Sequence, residues 1–287
     1  MKNLFVSTTF AKDKSKISDV LSICEKRGLS NLELGSNHSF EKNYLKILKK
    51  KKLSYLVHNY FPIPKKSFVV NIASQNKSIR NKSLRHAFRA IRLCKQVDAK
   101  LYTIHPGFLE DPTSSNLNKD DYDFIWKKKK KNSNYSKGFM LMIRSLKQIA
   151  KYAKKNKVKV AIETEGSIDK KKFLIMQKPR EYSEFFKYFK PSEVGINLNV
   201  GHLNLASKAY NFSKIKFLDL IKNYVTAIEF SHNNGIKDQH LPVKSNTWYW
   251  SLFNDKRFKK SFKILEFRNT KIEHIKKIIK KIKQKSK

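Results

Sequence analysis

Eight short apolar runs alternate with amphipathic helical stretches along the chain, and this alternation constrains the fold more than any other feature. The runs are rich in Val, Ile, Leu and aromatic residues, as are strands buried on both faces of a parallel sheet. Eight β/α units in 287 residues predict an α/β fold, a (β/α)8 TIM barrel formed as a single domain over residues 1–287. The predicted strands are Leu4–Ser7, Asn31–Leu34, Leu53–His58, Leu101–His105, Val158–Glu163, Val194–Asn199, Ala227–Ser231 and Phe262–Glu266.

Side chains that bind divalent metals lie at the ends of these runs or shortly after them. Any one of them could instead cap a helix or line a turn. The carboxyl ends of barrel strands meet at one mouth, however, so the whole set predicts a single metal site. The set comprises His58, His105, Glu163, Asn199, His202, His232, Asp238, His240 and Glu266.

An open, doubly wound sheet is the alternative architecture. It gives no reason for metal-binding side chains at nearly every strand end, and no glycine-rich phosphate loop follows the first strand. We therefore favour the barrel. The predicted helices include Lys14–Arg27, Leu84–Gln96, Phe139–Lys154 and Ile272–Ile282, and the long loops are residues 59–75, 106–135, 164–179 and 233–258.

The net charge of +40 has two interpretations. One is a polyanionic partner such as nucleic acid. The other is codon bias, because 54 of the 63 basic residues are Lys, and Asn, Ile, Phe and Tyr are also abundant. A protein that specifically recognises phosphates or bases relies on Arg for its bidentate geometry, and Arg is scarce here. We therefore favour codon bias and keep nucleic acid as the alternative partner. The tract Lys127–Lys131 is predicted to be a solvated surface, with anion binding as its alternative role.

The two cysteines, Cys24 and Cys94, fall in helical patterns, which argues against a disulfide framework and predicts a cytoplasmic location. No apolar stretch approaches the ~18 residues that cross a bilayer, so we expect no membrane insertion. The first ten residues are too strand-like for a signal peptide.

The predicted site suits either of two chemistries. A divalent ion held by Glu163, His232 and Glu266 would polarise a sugar carbonyl, while the two glutamates remove a proton on one face and return it on the other. Alternatively, two or three ions would activate a water and hold a phosphodiester. The sequence leaves both open.

Several segments together resemble the xylose isomerase-like TIM-barrel superfamily, which includes sugar phosphate isomerases/epimerases and endonuclease IV. They are HNYFPIPKKSFVVNIAS, IHPGF, AIETEG, NVGHLNLAS, SHNNGIKDQHLP, WYW and LEF. The resemblance to endonuclease IV implies a nine-ligand, three-zinc centre. Eight positions match and the ninth, an aspartate in that pattern, is Asn199. The resemblance to the epimerases implies one ion held by Glu163, Asn199, His232 and Glu266, with the same departure. Asparagine keeps an oxygen ligand and loses a negative charge.

Other features favour the sugar enzymes. The tyrosine that endonuclease IV carries three residues after its first histidine is Phe61 here. Trp248 and Trp250 either stack on a sugar or only pack down a long loop. The resemblance therefore implies a manganese- or zinc-dependent isomerase or epimerase of a small-molecule sugar or sugar phosphate, in surface-polysaccharide synthesis, with Glu163 and Glu266 catalytic. The alternatives are a zinc phosphodiesterase acting on abasic DNA and a barrel that binds ligand without catalysis.

Overall fold

The computed structural model describes residues 3–115, 124–125, 134–169 and 173–284. The tract Lys127–Lys131 lies outside the described residues. Eight parallel strands close into a barrel, which confirms the predicted TIM barrel. The barrel strands are β1 (Leu4–Ser7), β2 (Asn31–Leu34), β3 (Ser54–His58), β4 (Leu101–Ile104), β7 (Lys159–Glu163), β8 (Gly195–Asn199), β9 (Val225–Phe230) and β10 (Phe262–Leu265). Around the barrel they follow the order β1-β10-β9-β8-β7-β4-β3-β2.

Each predicted strand is found within two residues of its expected bounds. A small antiparallel pair, β5 (Ser114–Ser115) and β6 (Phe124–Ile125), lies in the segment after β4. The helices are α1 (Ile17–Lys26), α2 (Tyr44–Lys50), α3 (Lys77–Gln96), α4 (Tyr135–Lys155), α5 (Pro179–Phe185), α6 (Val200–Tyr210), α7 (Lys214–Ile221) and α8 (Ile272–Gln284). None of the helices in the described part of the chain is long and apolar enough to cross a membrane.

Asparagine side chains begin three of these helices. Asn76, Asn134 and Asn199 each accept backbone N–H groups in the first turn of α3, α4 and α6. These bonds satisfy donors that a helix start otherwise leaves unpaired. Asn199 is also the last residue of β8, so that strand passes directly into its helix.

The barrel interior consists of an apolar layer with a polar layer above it. The apolar layer is formed by Phe5, Leu56, Leu101, Ala161, Ala227 and Ile264. Side chains two residues apart share one face of a strand, so the next inward positions are two residues further along. Those positions hold Ser7, His58, Thr103, Glu163, Glu229 and Glu266, all buried. The fold thus brings polar groups from six strands to one level of the barrel.

Candidate metal centre

Four buried glutamates face one another at the carboxyl ends of the strands. Glu33, Glu163, Glu229 and Glu266 expose 0, 2, 0 and 4% of their surface. Unpaired carboxylates at this depth are costly, so a cluster of four needs protons or cations to be stable.

The side chain of Asn199 lies at the centre of this cluster. Its Nδ2 atom donates to Glu163 Oε1 at 3.0 Å, Glu229 Oε2 at 3.2 Å and Glu266 Oε2 at 3.3 Å. Its Oδ1 atom accepts the backbone N–H groups of Gly201 and His202 at the start of α6. The helix cap therefore fixes the amide orientation, and Asn199 presents N–H groups to the carboxylates instead of the oxygen ligand expected from the sequence.

The first group that could hold a metal comprises His58, His105 and Glu163, whose ligand atoms lie within 4.8 Å of one another. His58 Nδ1 and His105 Nε2 lie 3.8 and 3.5 Å from Glu163 Oε2. The other nitrogen of His105 is bonded to Glu165 Oε1 at 2.7 Å, which orients the ring. Thr103 Oγ1 lies 2.9 Å from His58 Nδ1.

The second group comprises His202, Asp238 and His240. Asp238 Oδ2 lies 3.2 Å from His202 Nε2 and 2.9 Å from His240 Nε2. His240 Nδ1 lies 3.1 Å from Glu266 Oε2, which links this group to the glutamate cluster. The backbone carbonyl of Thr164 fixes the ring of His202 through Nδ1 at 2.7 Å.

Three residues of the predicted site lie elsewhere. His232 Nδ1 is bonded to Tyr249 Oη at 3.1 Å, and His232 belongs to none of the metal-compatible groups found among the described residues. Trp248 packs beneath the ammonium group of Lys214, and Trp250 packs edge-on against Phe253. The structure therefore places both tryptophans in loop packing, and neither lines the cavity above the metal-binding groups.

Glu229 occupies the inward position of β9 that the sequence interpretation assigned to His232. Ala227 belongs to the apolar layer, so Glu229, two residues later, points to the same interior. Glu33 was missed as well, because it is the next-to-last residue of β2 and Leu34 ends the strand. Counting in steps of two residues from the apolar layer would have found Glu229. Glu33 pairs with Ser7 of the polar layer on the neighbouring strand β1.

Burial dominates the pKa of some of these groups, and neighbouring charges dominate the pKa of others. Burial lowers the pKa of His58 to about 4. Burial also lowers the pKa of His105, but the carboxylates of Glu163 and Glu165 outweigh it and raise the value to about 9. Burial raises the pKa of Glu33 and Glu229 well above their usual range, and the other glutamates raise it further. Without a cation, burial therefore favours the protonated form of the two deepest glutamates.

Burial raises the pKa of Glu266, but His240 outweighs burial and lowers the pKa below its usual value. Glu163 also favours its ionised form. Burial raises its pKa, but the histidines around it, His105 first, outweigh burial and hold the pKa well below its usual range. In the second metal-compatible group, burial disfavours the charged forms of Asp238 and His240. Asp238 nevertheless raises the pKa of His240 to about 9, while the histidines hold the pKa of Asp238 well below its usual range.

A cavity of about 520 Å³ opens above these groups. The loop between β3 and α3 lines one side with Tyr60, Ile63 and Phe68, and Ile168 and Leu174 line another. Arg268 and Lys14 also line it, so the cavity combines apolar walls with positive charge and an anionic floor. Its volume suits a small molecule.

The donor set suits divalent metal ions. Carboxylates and imidazoles are the usual ligands of zinc and manganese. Glu163 Oε2 has no hydrogen-bond partner among the described residues, although two histidine nitrogens lie within 4 Å of it. An ion between these atoms would replace the contacts that this buried oxygen lacks.

The sequence profile of the xylose isomerase-like TIM-barrel family matches residues 23–284. An uncharacterized protein of Methanocaldococcus jannaschii is 27% identical over 278 residues, which cover 95% of this chain and 94% of the archaeal protein.

Solved structures share the fold. A D-tagatose 3-epimerase-like protein superimposes with a TM-score of 0.74 at 17% identity, covering 99% of this chain and 98% of that one. Endonuclease IV from Thermus thermophilus gives a TM-score of 0.61 at 11% identity and covers 99% of each chain. At such identities the likeness concerns the barrel and does not extend to the reaction.

Proposed function

Because the chain belongs to the xylose isomerase-like TIM-barrel family, we propose that it is a divalent-metal-dependent isomerase or epimerase of a sugar or sugar phosphate. The observation that carries this proposal is the pair of carboxylates of Glu163 and Glu266. Both are bonded to Nδ2 of Asn199, and both open onto the small cavity. A substrate carbon held between these groups loses a proton to the one that is ionised and gains a proton from the other, which must start protonated.

The metal would be held by Glu163, Glu229 and Glu266, the three carboxylates that converge on Asn199. Asn199 is neutral, so this group carries up to three negative charges, which suits a hard divalent ion such as manganese. When bound, the ion supplies Lewis-acid polarisation of the substrate's carbonyl and hydroxyl oxygens.

The protein's own groups prepare the proton transfer. Glu163 is ionised because of the histidines beside it, so it is the carboxylate ready to accept a proton. Arg268 and Lys14 line the same cavity and would attract an anionic substrate such as a sugar phosphate. The apolar walls exclude water from the substrate, which protects the carbanion-like state formed during transfer.

The test is exchange of substrate hydrogen with solvent deuterium. Protein loaded with Mn²⁺ is incubated in D₂O with a panel of ketoses, aldoses and their phosphates, and loss of a C–H signal is followed by NMR. Glu163→Gln and Glu266→Gln should each slow exchange by at least about 100-fold, the usual contribution of a general acid or base. Trp248→Phe is the control and should exchange at the wild-type rate, because Trp248 does not line the cavity. Absence of exchange with every sugar, or full activity in Glu266→Gln, would refute the proposal.

A specific observation favours a second candidate, a phosphodiesterase that acts on abasic DNA. A single-ion epimerase does not need the separate His202, Asp238 and His240 group, whereas hydrolysis by several ions does. This candidate predicts zinc-dependent cleavage of an abasic duplex that is lost in His240→Ala. An intact duplex after prolonged incubation with the zinc-loaded protein would exclude it.

A further inference from the structure

A third group of potential ligands lies deeper in the barrel. It consists of Glu33 on β2, His58 on β3 and Glu229 on β9, and the ligand atoms of the three residues lie within 4.8 Å of one another. Strands β3 and β9 stand opposite each other in the closed barrel, so these side chains meet across its interior. We propose that this inner group binds a second divalent cation, distinct from the ion that would act on substrate. The proposal does not depend on the identity of the substrate.

The two oxygens of Glu229 face in different directions. Oε2 accepts from Asn199 Nδ2 and so belongs to the outer group with Glu163 and Glu266. Oε1 lies 2.7 Å from Asn197 Nδ2 and 3.5 Å from His58 Nδ1. A carboxylate with this arrangement can bridge two ions, one on each side.

Asn197 provides independent support for a ligand at the inner position. The residue is fully buried, and its Nδ2 atom donates to Glu229 Oε1, the carboxylate oxygen on the inner side. Its Oδ1 atom has no hydrogen-bond partner among the described residues. Buried amide oxygens are rarely left unpaired, and an amide oxygen is a good ligand for a hard cation.

Glu33 also supports a cation at the inner position. It is fully buried, and neither of its carboxylate oxygens has hydrogen-bonding geometry with a described donor. Its polar neighbours are Ser7 and Glu229, and no Lys or Arg is paired with it in the described part of the chain. A bound cation would balance the negative charges that Glu33 and Glu229 carry when both are ionised.

His58 could serve either group, because it also lies near His105 and Glu163. We assign it to the inner ion because its Nδ1 atom is closer to Glu229 Oε1, at 3.5 Å, than to Glu163 Oε2, at 3.8 Å. The inner donor set is then two carboxylates and one imidazole. This combination suits Mn²⁺, which accepts both oxygen and imidazole ligands.

The main experiment counts ions. Metal-free protein is loaded with excess Mn²⁺, freed of unbound ion by gel filtration and measured by elemental analysis. Glu33→Gln should contain one Mn²⁺ per chain fewer than the wild type, because Glu33 contacts only the inner position. Glu181→Gln is the matched control. It changes another buried carboxylate, which accepts backbone N–H groups at the start of α5, and it should keep the wild-type metal content.

A second measurement needs no variant and so does not depend on the stability of Glu33→Gln. Crystals of the wild-type protein grown with Mn²⁺ should show an anomalous scattering peak bound by Glu33, His58 and Glu229. Equal metal content in Glu33→Gln and the wild type would overturn the proposal. So would crystals whose only peak lies among Glu163, Glu229 and Glu266. In either case, the two deep glutamates share a proton instead of a cation.

Discussion

Replacing Asn199 by aspartate should destabilise the metal-free protein and strengthen its response to metal. Aspartate keeps the oxygen that accepts the N–H groups of Gly201 and His202, so the cap of α6 is preserved. It removes the N–H groups that now face Glu163, Glu229 and Glu266, and it brings another acidic group among them. The substitution therefore isolates the role of the amide nitrogen.

The size of the effect follows from the hydrogen bonds. An amide has two N–H groups, so at most two of the three contacts are fully formed at once. A hydrogen bond to a charged group contributes about 1.5–3 kcal/mol, which gives a loss of about 3–6 kcal/mol. The new carboxylate would also repel the glutamates, but proton uptake by the glutamates would offset part of this cost. We therefore expect the free energy of unfolding to fall by about 3 kcal/mol, the lower end of the range. For a chain of this size, that loss corresponds to a fall in Tm of roughly 6 °C.

The assay is thermal unfolding followed by circular dichroism, in EDTA and in excess Mn²⁺. The difference in Tm between Asn199→Asp and the wild type should be smaller in Mn²⁺ than in EDTA. The reason is that the added negative charge raises the affinity of the variant for the ion. Asn76→Asp is the matched control, since Asn76 caps α3 through the same kind of contacts. Its amide nitrogen is bonded to no carboxylate in the described part of the chain. If Asn199→Asp is as stable as the wild type in EDTA, or if both substitutions lower Tm equally, the reasoning is wrong.

Two further predictions concern pH and packing. The pKa values of His105 and His240 are raised to about 9 by neighbouring carboxylates, so the stability they contribute is complete below pH 6.5 and is lost as pH rises through 9. Urea unfolding of the EDTA-treated protein should show this decline, and a flat profile from pH 6.5 to 9 would contradict it. Gly166→Ala should reduce both stability and metal content, because the new Cβ atom would lie 2.0 Å from the carbonyl oxygen of His202. Gly195→Ala, at the start of β8, is the control, because its Cβ atom would lie 2.0 Å from the side-chain Oγ1 of Thr226. It should also reduce stability, but it should leave the metal content of the folded protein unchanged.

The barrel was predictable from the sequence because its signals are local. Short apolar runs, each followed by an amphipathic stretch, identified all eight barrel strands. Parallel strands in a barrel all end at one mouth. The positions of the strand ends were therefore sufficient to predict that His58, His105 and Glu163 lie close together, as they do. His202, Asp238 and His240 also meet as expected from the set as a whole.

The errors arose where side-chain direction mattered more than position in the sequence. His232 follows the end of β9, but the residue of that strand that faces the interior is Glu229, and only the alternation along the strand shows this. The orientation of Asn199 depends on the helix that begins directly after it. The partners of Trp248 and Trp250 lie on α7 and a short 3-10 turn, which residue type alone cannot predict.

The apolar layer beneath the glutamates has a kinetic consequence. Phe5, Leu56, Leu101 and Ile264 close the barrel below the site, so among the described residues the cavity is the route by which ions reach it. Under the proposed function, ions and substrate would then enter in sequence through one opening, with the ions first. A bound substrate would trap the metal beneath it, and a chelator would extract the metal only in the interval between product release and the next substrate.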